Sequence, residues 1–269
     1  MNYSGKISTG TMLEVHDRYF APFAMSPFAD DMARRLARLS SGPLLETCAG
    51  TGILTQAMAS ATSAGLTIIA TDPSSEMLEH AALKSGTARV KWQIADPAAL
   101  PFPDGTFGIV ACHFGVSTLN DRVLAFREAR RVLRPGGRFV FSIPGHIRHN
   151  PVAHCVQTAL DKMFPEDPPE FLGLGLHGYA DNETTDDDLT TAGFTDAIYT
   201  TVEKPFAAAS AWDVAIGYCL GTPLRAEIEA RTSGAAESAI RAAEQALMQR
   251  FGSGPIETNM RGHIVSASG

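Results

Sequence analysis

Leu44-Leu45-Glu46-Thr47-Cys48-Ala49-Gly50-Thr51-Gly52, residues 44–52, passes from an apolar pair through an acid into a glycine turn. Residues 43–48 read as a short buried strand, and Ala49-Gly50-Thr51-Gly52 as a tight turn opening a helix over residues 53–64. The same alternation continues outward. Apolar runs predict strands at residues 66–71, 90–95, 107–113 and 138–143, and helical spacing predicts helices at 74–85 and 121–133. Arg134-Pro135-Gly136-Gly137 reads as a stop and turn. Apolar strands separated by helices imply a parallel sheet covered on both faces. Right-handed crossovers then make it a doubly wound α/β fold.

Toward the start, residues 12–40 carry apolar side chains at helical spacing, broken by Pro22 and Pro27 into at least two helices, and Ser41-Gly42-Pro43 is punctuation. After Pro144 the pattern changes. Residues 146–181, rich in Pro, Gly, His and aromatics, predict a helix and a long loop. A short helix is expected at 186–192, with Asp186-Asp187-Asp188 at its N-terminus, where acids suit the helix dipole. Strands follow at 194–202 and 263–267, with helices at 208–219 and 223–251. The expected organisation of residues 1–269 is one domain: N-terminal helices or lid (1–40), cofactor core (41–145), cap insertion (146–192) and C-terminal strands and helices (193–269). Glu166-Asp167-Pro168-Pro169 reads as a turn.

Composition narrows the function. The chain has 269 residues and a formal net charge of −7, which disfavours binding to a phosphate backbone. No run of 18 or more apolar residues occurs, so no membrane-spanning helix is expected. The start, MNYSGKISTGTM, carries no apolar h-region. Cys48, Cys112, Cys155 and Cys219 are scattered and form no CxxC, which predicts reduced thiols in a cytoplasmic protein.

Ligands of open α/β sheets sit outside the carboxyl ends of the strands. Here three neighbouring strand ends carry acids: Glu46, Asp72 and Asp96. Asp72 lies 20 residues after Gly52, the spacing at which an acid meets ribose hydroxyls. A dinucleotide fingerprint would need a third glycine where Thr55 stands, which disfavours a nicotinamide dehydrogenase. Three acids suit a ligand with a ribose, an exocyclic amine and a cation, as in S-adenosylmethionine (SAM).

With these features the chain resembles the class I SAM-dependent methyltransferase family. The resemblance runs over about residues 44–143, through LLETCAGTG (44–52), IIATDPSSEML (68–78), VKWQIADPAALPFPDGTFGIV (90–110) and RVLRPGGRFVFSIPG (131–145). It implies a Rossmann-like sheet of seven strands, mostly parallel with an antiparallel last strand, under a helical cap. It also implies site roles. Glu46 and Ala49, Gly50, Thr51 and Gly52 would hold the methionine end, and Asp72 with Pro73 the ribose. Met77 would lie against the adenine, with Ala95, Asp96 and Pro97 at its amine. His113 and Phe114 would face the methyl. Cys48 departs from the pattern, because the family commonly has glycine there.

The leading expectation is therefore a methyltransferase acting on a small molecule, as a monomer or homodimer. The alternative is a SAM- or adenosyl-binding regulatory or partner protein without turnover. His113, ending the fourth strand, is either a general base or a structural residue capping that strand. Tyr19, Phe20, Phe23 and Phe28 either form a lid over the cofactor or pack against the sheet edge. His146, His149 and His154 match no metal-binding spacing, and no metal is expected. Phe164, Phe171, Leu172, Leu174, Leu176 and Tyr179 give the cap an apolar character suited to a small, partly apolar ligand.

Overall fold

The computed structural model describes residues 10–39 and 42–269. The chain start on which the h-region argument rests, and Ser41 of the punctuation, lie outside the described residues. Strands β1 (Leu44–Glu46), β2 (Ile68–Asp72), β3 (Val90–Ile94), β4 (Phe107–His113), β5 (Leu133–Pro144), β6 (Ile198–Ala208) and β7 (Ile256–Ser268) form one sheet in the order β3-β2-β1-β4-β5-β7-β6. The first five pair in parallel, and β7 runs antiparallel to both β5 and β6. Every residue of β1 and β4 is buried, as expected of central strands covered on both faces.

The helices of the alternating core are α4 (Ile53–Ala61), α5 (Ser75–Ala82) and α6 (Arg122–Val132). Ser74 and Asp121 cap α5 and α6 by accepting from Met77 N and Leu124 N. Before β1 lie α1 (Met12–Tyr19), α2 (Ala21–Ala24) and α3 (Ser26–Leu39). Thr11 and Glu14 close a capping box on α1. Pro22 and Pro27 fall in the first turns of α2 and α3, where the missing N–H costs nothing.

The second half builds α7 (Pro151–Met163), α8 (Asn182–Thr191), α9 (Ala211–Leu220), α10 (Leu224–Arg231) and α11 (Ala236–Phe251), with a single π turn at Phe171–Leu176. Helices α1, α7, α9, α10 and α11 share an apolar core that includes Phe20, Val156, Leu160, Tyr218, Ile228, Ile240 and Leu247. This layer lies beyond the sheet and closes one side of the site.

Several boundaries differ from expectation. The acids Asp186–Asp188 lie inside α8, not at its start. Asp181 is the cap and accepts from Thr184 N, while Asp188 binds Tyr179 and Arg122. The helix expected over 223–251 is two helices, interrupted at Ser233-Gly234, where Gly234 has φ +77°. The last two strands are longer than predicted, because β6 and β7 pair antiparallel without interruption from Ile198↔Ser266 to Ala208↔Ile256, although α9, α10 and α11 lie between them in the chain. Pro205 is tolerated within β6 because that strand is the sheet's edge. Arg134 to Gly137 fall within the bounds of β5 but leave its pairing with β4, which runs from Leu133↔Phe107 directly to Arg138↔Ile109, and Gly136 takes φ +74° there.

Candidate active site

The loop after β1 is held from both sides. Thr47 N donates to Ala111 O of β4 and Ala49 N to Thr71 O of β2, each at 2.9 Å. Between these anchors Cys48 takes φ +54°, a left-handed conformation uncommon for a side chain with a Cβ. Gly52, at φ +79°, starts α4, and a Cβ there would lie 2.9 Å from the Ala81 methyl. Glycine therefore brings the start of α4 against α5. The Cys48 thiol is held neutral, well above its usual value, by its hydrogen bond to Cys112 and by burial.

Glu46 and Asp72 end β1 and β2 as expected, while Asp96 lies two residues past the end of the neighbouring β3, in the turn that follows it. Glu46 is only 1% exposed, and Thr55 donates its hydroxyl to Oε2. Burial, reinforced by Cys112 and Asp72, pushes its carboxyl up to about 8. Among the described residues no cationic side chain is hydrogen-bonded to it. Asp72 is oriented by two backbone donors: Ser74 N to Oδ1 and Gly50 N to Oδ2, both at 2.9 Å. Asp96 Oδ1 accepts from Ala98 N at 2.8 Å. Each of these carboxylates keeps lone pairs beyond its backbone partners.

All three acids line one cavity of about 690 Å³ at the carboxyl edge of the sheet. Ala49, Gly50, Thr51, Pro73, Met77, Pro97, His113 and Phe114 line it too. Gly52, Ala95 and Tyr19, expected at the site, do not. Gly52 and Ala95 are buried behind it. Tyr19 is the last residue of α1, packs on the helical core and carries Arg18 over its ring. Its neighbour Phe20 reaches the cavity instead, set edge-on against Tyr218 with ring centres 5.1 Å apart. Phe23 and Phe28 are buried in the packing, against Phe206 and Phe114. The N-terminal aromatics are therefore a packed wall.

His113 ends β4 as predicted, but its ring is spent on structure. Nε2 lies 3.2 Å from Met25 O, so it carries the hydrogen and donates. Nδ1 then accepts from Ser142 Oγ at 2.6 Å. Burial lowers its pKa to about 4. Neither nitrogen is left free to take a proton from a bound acceptor, so the structure favours the capping reading over the general base. Phe114 stacks on this ring at 4.3 Å and takes φ +58°.

His16, Met25 and Thr222 also line the cavity and were not marked in the sequence. Of the cap residues expected to face a ligand, Phe171 and Leu176 line it, whereas Phe164, Leu172, Leu174 and Tyr179 do not. Asp17 ties α1 to the glycine turn and to α5. It accepts from Thr51 Oγ1 at 2.8 Å and meets His80 Nε2 at 2.6 Å and Lys84 Nζ at 2.7 Å. Burial alone would raise its pKa, but hydrogen bonds from Lys84, His80 and Thr51 outweigh that and hold it low. No periodicity marks Asp17, because its partners are 34 and 63 residues away. Among the described residues no group of three or more His, Cys, Asp or Glu side chains could hold a metal ion. No helix among them is long and apolar enough to cross a membrane.

The fit to SAM can be tested on these residues. A buried carboxyl held near 8 without a cationic partner suits an incoming ammonium group. A carboxylate with one backbone donor on each oxygen suits a pair of ribose hydroxyls. The donor set fits.

The chain is similar to known methyltransferases in sequence and fold. Residues 45–141 match the family model described as a methyltransferase domain. A demethylmenaquinone methyltransferase from Clavibacter sepedonicus is 31% identical over 171 residues, covering 60% of this chain and 69% of that protein. A ubiquinone/menaquinone biosynthesis C-methyltransferase UbiE from Geotalea uraniireducens is 33% identical over 118 residues, 41% of this chain. The matched stretch spans 50% of that relative's length. In fold, the chain is similar to the YcgJ protein of Bacillus subtilis, with a TM-score of 0.57 at 18% identity, covering 90% of this chain and 97% of that one. It is also similar to phosphoethanolamine N-methyltransferase 2 of Haemonchus contortus, solved with S-adenosylhomocysteine, with a TM-score of 0.59 at 18% identity, covering 97% and 59%.

Proposed function

The chain belongs to the class I SAM-dependent methyltransferases, and on that premise we propose that it transfers a methyl group from SAM to a small, largely apolar acceptor. One observation carries the reading. One cavity is lined both by Glu46, Asp72 and Asp96 and by Phe20, Met25, Phe171 and Leu176. The acids suit a polar, cationic donor, and the apolar side chains an apolar acceptor.

When bound, SAM supplies an electrophilic methyl group on a sulfonium that leaves as a neutral thioether. The protein's own task is alignment and exclusion of water. Glu46 would hold the donor's ammonium, and Asp72 with Pro73 the ribose hydroxyls. Asp96 and Pro97 would hold the adenine amine, and Met77 the base. Ala49, Gly50 and Thr51 would hold the methionine end. His113 holds Met25 and Phe114 in the wall between the two halves and is a positioning residue. Two relatives are named for methylation in quinone biosynthesis, and the apolar wall supports a ring-bearing acceptor of that general kind. The net charge of −7 supports a small-molecule acceptor over a nucleic acid.

Calorimetric titration of the protein with SAM, S-adenosylhomocysteine and NAD tests the donor. Micromolar binding of the first two without the third is expected. Absence of SAM binding would overturn the assignment.

A further inference from the structure

The cavity is also lined by a histidine with one nitrogen fixed and the other free. His16 lies in α1, and its Nδ1 is 2.8 Å from Gly221 O, just past the end of α9. A carbonyl only accepts, so Nδ1 carries the hydrogen and Nε2 is the bare lone pair of a neutral imidazole. No described residue is hydrogen-bonded to Nε2, and it is not among the buried, unpartnered atoms. It therefore retains access to space, and the ring lines the cavity beside Phe20, Thr222 and Pro223.

The placement of the ring is enforced by close helix packing. A Cβ on Gly217 would collide with the Tyr19 carbonyl, and one on Gly221 would lie 3.0 Å from His16 N. Two glycines at the end of α9 thus allow α1 to approach until the imidazole meets a backbone carbonyl. Burial lowers the His16 pKa from its usual value. The Gly221 hydrogen bond and Asp17 oppose this, while Lys84 and His80 add to it. The ring is accordingly neutral at pH 7 and able to accept.

We propose that His16 Nε2 accepts the hydrogen bond, and then the proton, of a hydroxyl on the methyl acceptor, selecting phenolic or enolic molecules over their ethers. This rests on the methyl-transfer reading above. The hydroxyl proton passes to Nε2. The electron pair it leaves forms the new bond to the methyl carbon, either from the oxygen or through conjugation from the adjacent ring carbon. The carbon–sulfur pair leaves on sulfur. In the ring-carbon case the carbon's own proton is lost afterward to water. The imidazolium returns its proton to solvent when the product departs.

The test uses binding rather than turnover. The S-adenosylhomocysteine complex is titrated with 2-naphthol and with 2-methoxynaphthalene. The native protein should bind the naphthol about threefold to tenfold more tightly, the worth of one hydrogen bond. His16→Asn keeps an N–H for Gly221 O but lacks the Nε2 lone pair. It should bind both compounds equally, with its affinity for S-adenosylhomocysteine unchanged. Should that variant fail to fold, ¹⁵N-histidine spectra of the native protein give the same answer. The unprotonated Nε2 resonance of His16 should shift with naphthol and stay still with the ether. A preference that survives His16→Asn, a still Nε2 resonance, or native protein that binds S-adenosylhomocysteine but neither naphthalene would overturn the inference while leaving the methyl-donor reading intact. Failure of the native protein to bind S-adenosylhomocysteine or SAM would instead overturn the donor reading, and this inference with it.

Discussion

Replacing Asp72 by alanine separates the loop-anchoring role of this carboxylate from its ligand role. Its Oδ2 accepts from Gly50 N and its Oδ1 from Ser74 N, so the substitution leaves two backbone donors without a charged partner. Gly50 borders the cavity, where water can replace part of what its N–H loses. The expected stability cost is about 1–3 kcal/mol. For a chain of 269 residues this lowers Tm by roughly 2–6 °C. The ligand cost is separate. Loss of hydrogen bonds between a charged acceptor and two ribose hydroxyls is worth about 1.5–3 kcal/mol, a Kd for SAM raised roughly 10- to 150-fold. Calorimetry at a temperature well below the lowered Tm measures the second effect without the first. A Kd within about twofold of the native value would remove Asp72 from the donor site.

Glu46→Gln should act through pH. The native carboxyl titrates at about 8 against an unfolded value of 4.5, so between these values the folded, ligand-free chain binds more protons than the unfolded chain. Stability contributed by this group is therefore present at low pH and declines as pH rises toward 8, levelling off above. The variant lacks that decline, so its Tm relative to the native protein should rise from about pH 5 to about pH 9. A pH-independent difference would refute this. Gly217→Ala should force α1 away from α9, lowering Tm and loosening acceptor probes more than SAM. Unchanged melting and unchanged probe binding would show that the two helices are not in close contact.

The cofactor half was legible because its determinants are local. LLETCAGTG contains a strand, an acid and a left-handed turn within nine residues, and Asp72 and Asp96 each close an apolar run. Such signals need no knowledge of the rest of the chain. The acceptor half follows another logic. His16 is fixed by a carbonyl 205 residues away, and nothing in MLEVHDRY distinguishes it from a surface histidine. Tyr19 and Phe20 are adjacent aromatics, and the break between α1 and α2 decides which one reaches the cavity. Spacing alone could not locate that break. His113 was placed at the right strand end, but its partners, Ser142 Oγ and Met25 O, come from β5 and from the joint before α3. Likewise Asp186–Asp188 satisfied a dipole argument, while Asp181 formed the better cap five residues earlier.

The bond between His16 and Gly221 also sets an order of assembly. Closing a loop of 205 residues costs about 5 kcal/mol of chain entropy before any contact is gained. The donor acids are all made by residue 96, but Gly221 emerges 125 residues later (221 − 96), roughly 6–25 s at ordinary rates of synthesis. A growing chain thus has the residues for gripping its methyl donor, and Phe20 and Met25 of the apolar wall, well before Phe171, Leu176 and Gly221 complete that wall. A chain cut before α9 would retain Glu46, Asp72 and Asp96 yet lose the carbonyl that sets the imidazole tautomer. The two halves of this site are separable in time as well as in chemistry, and the later half governs what the earlier half may be used for.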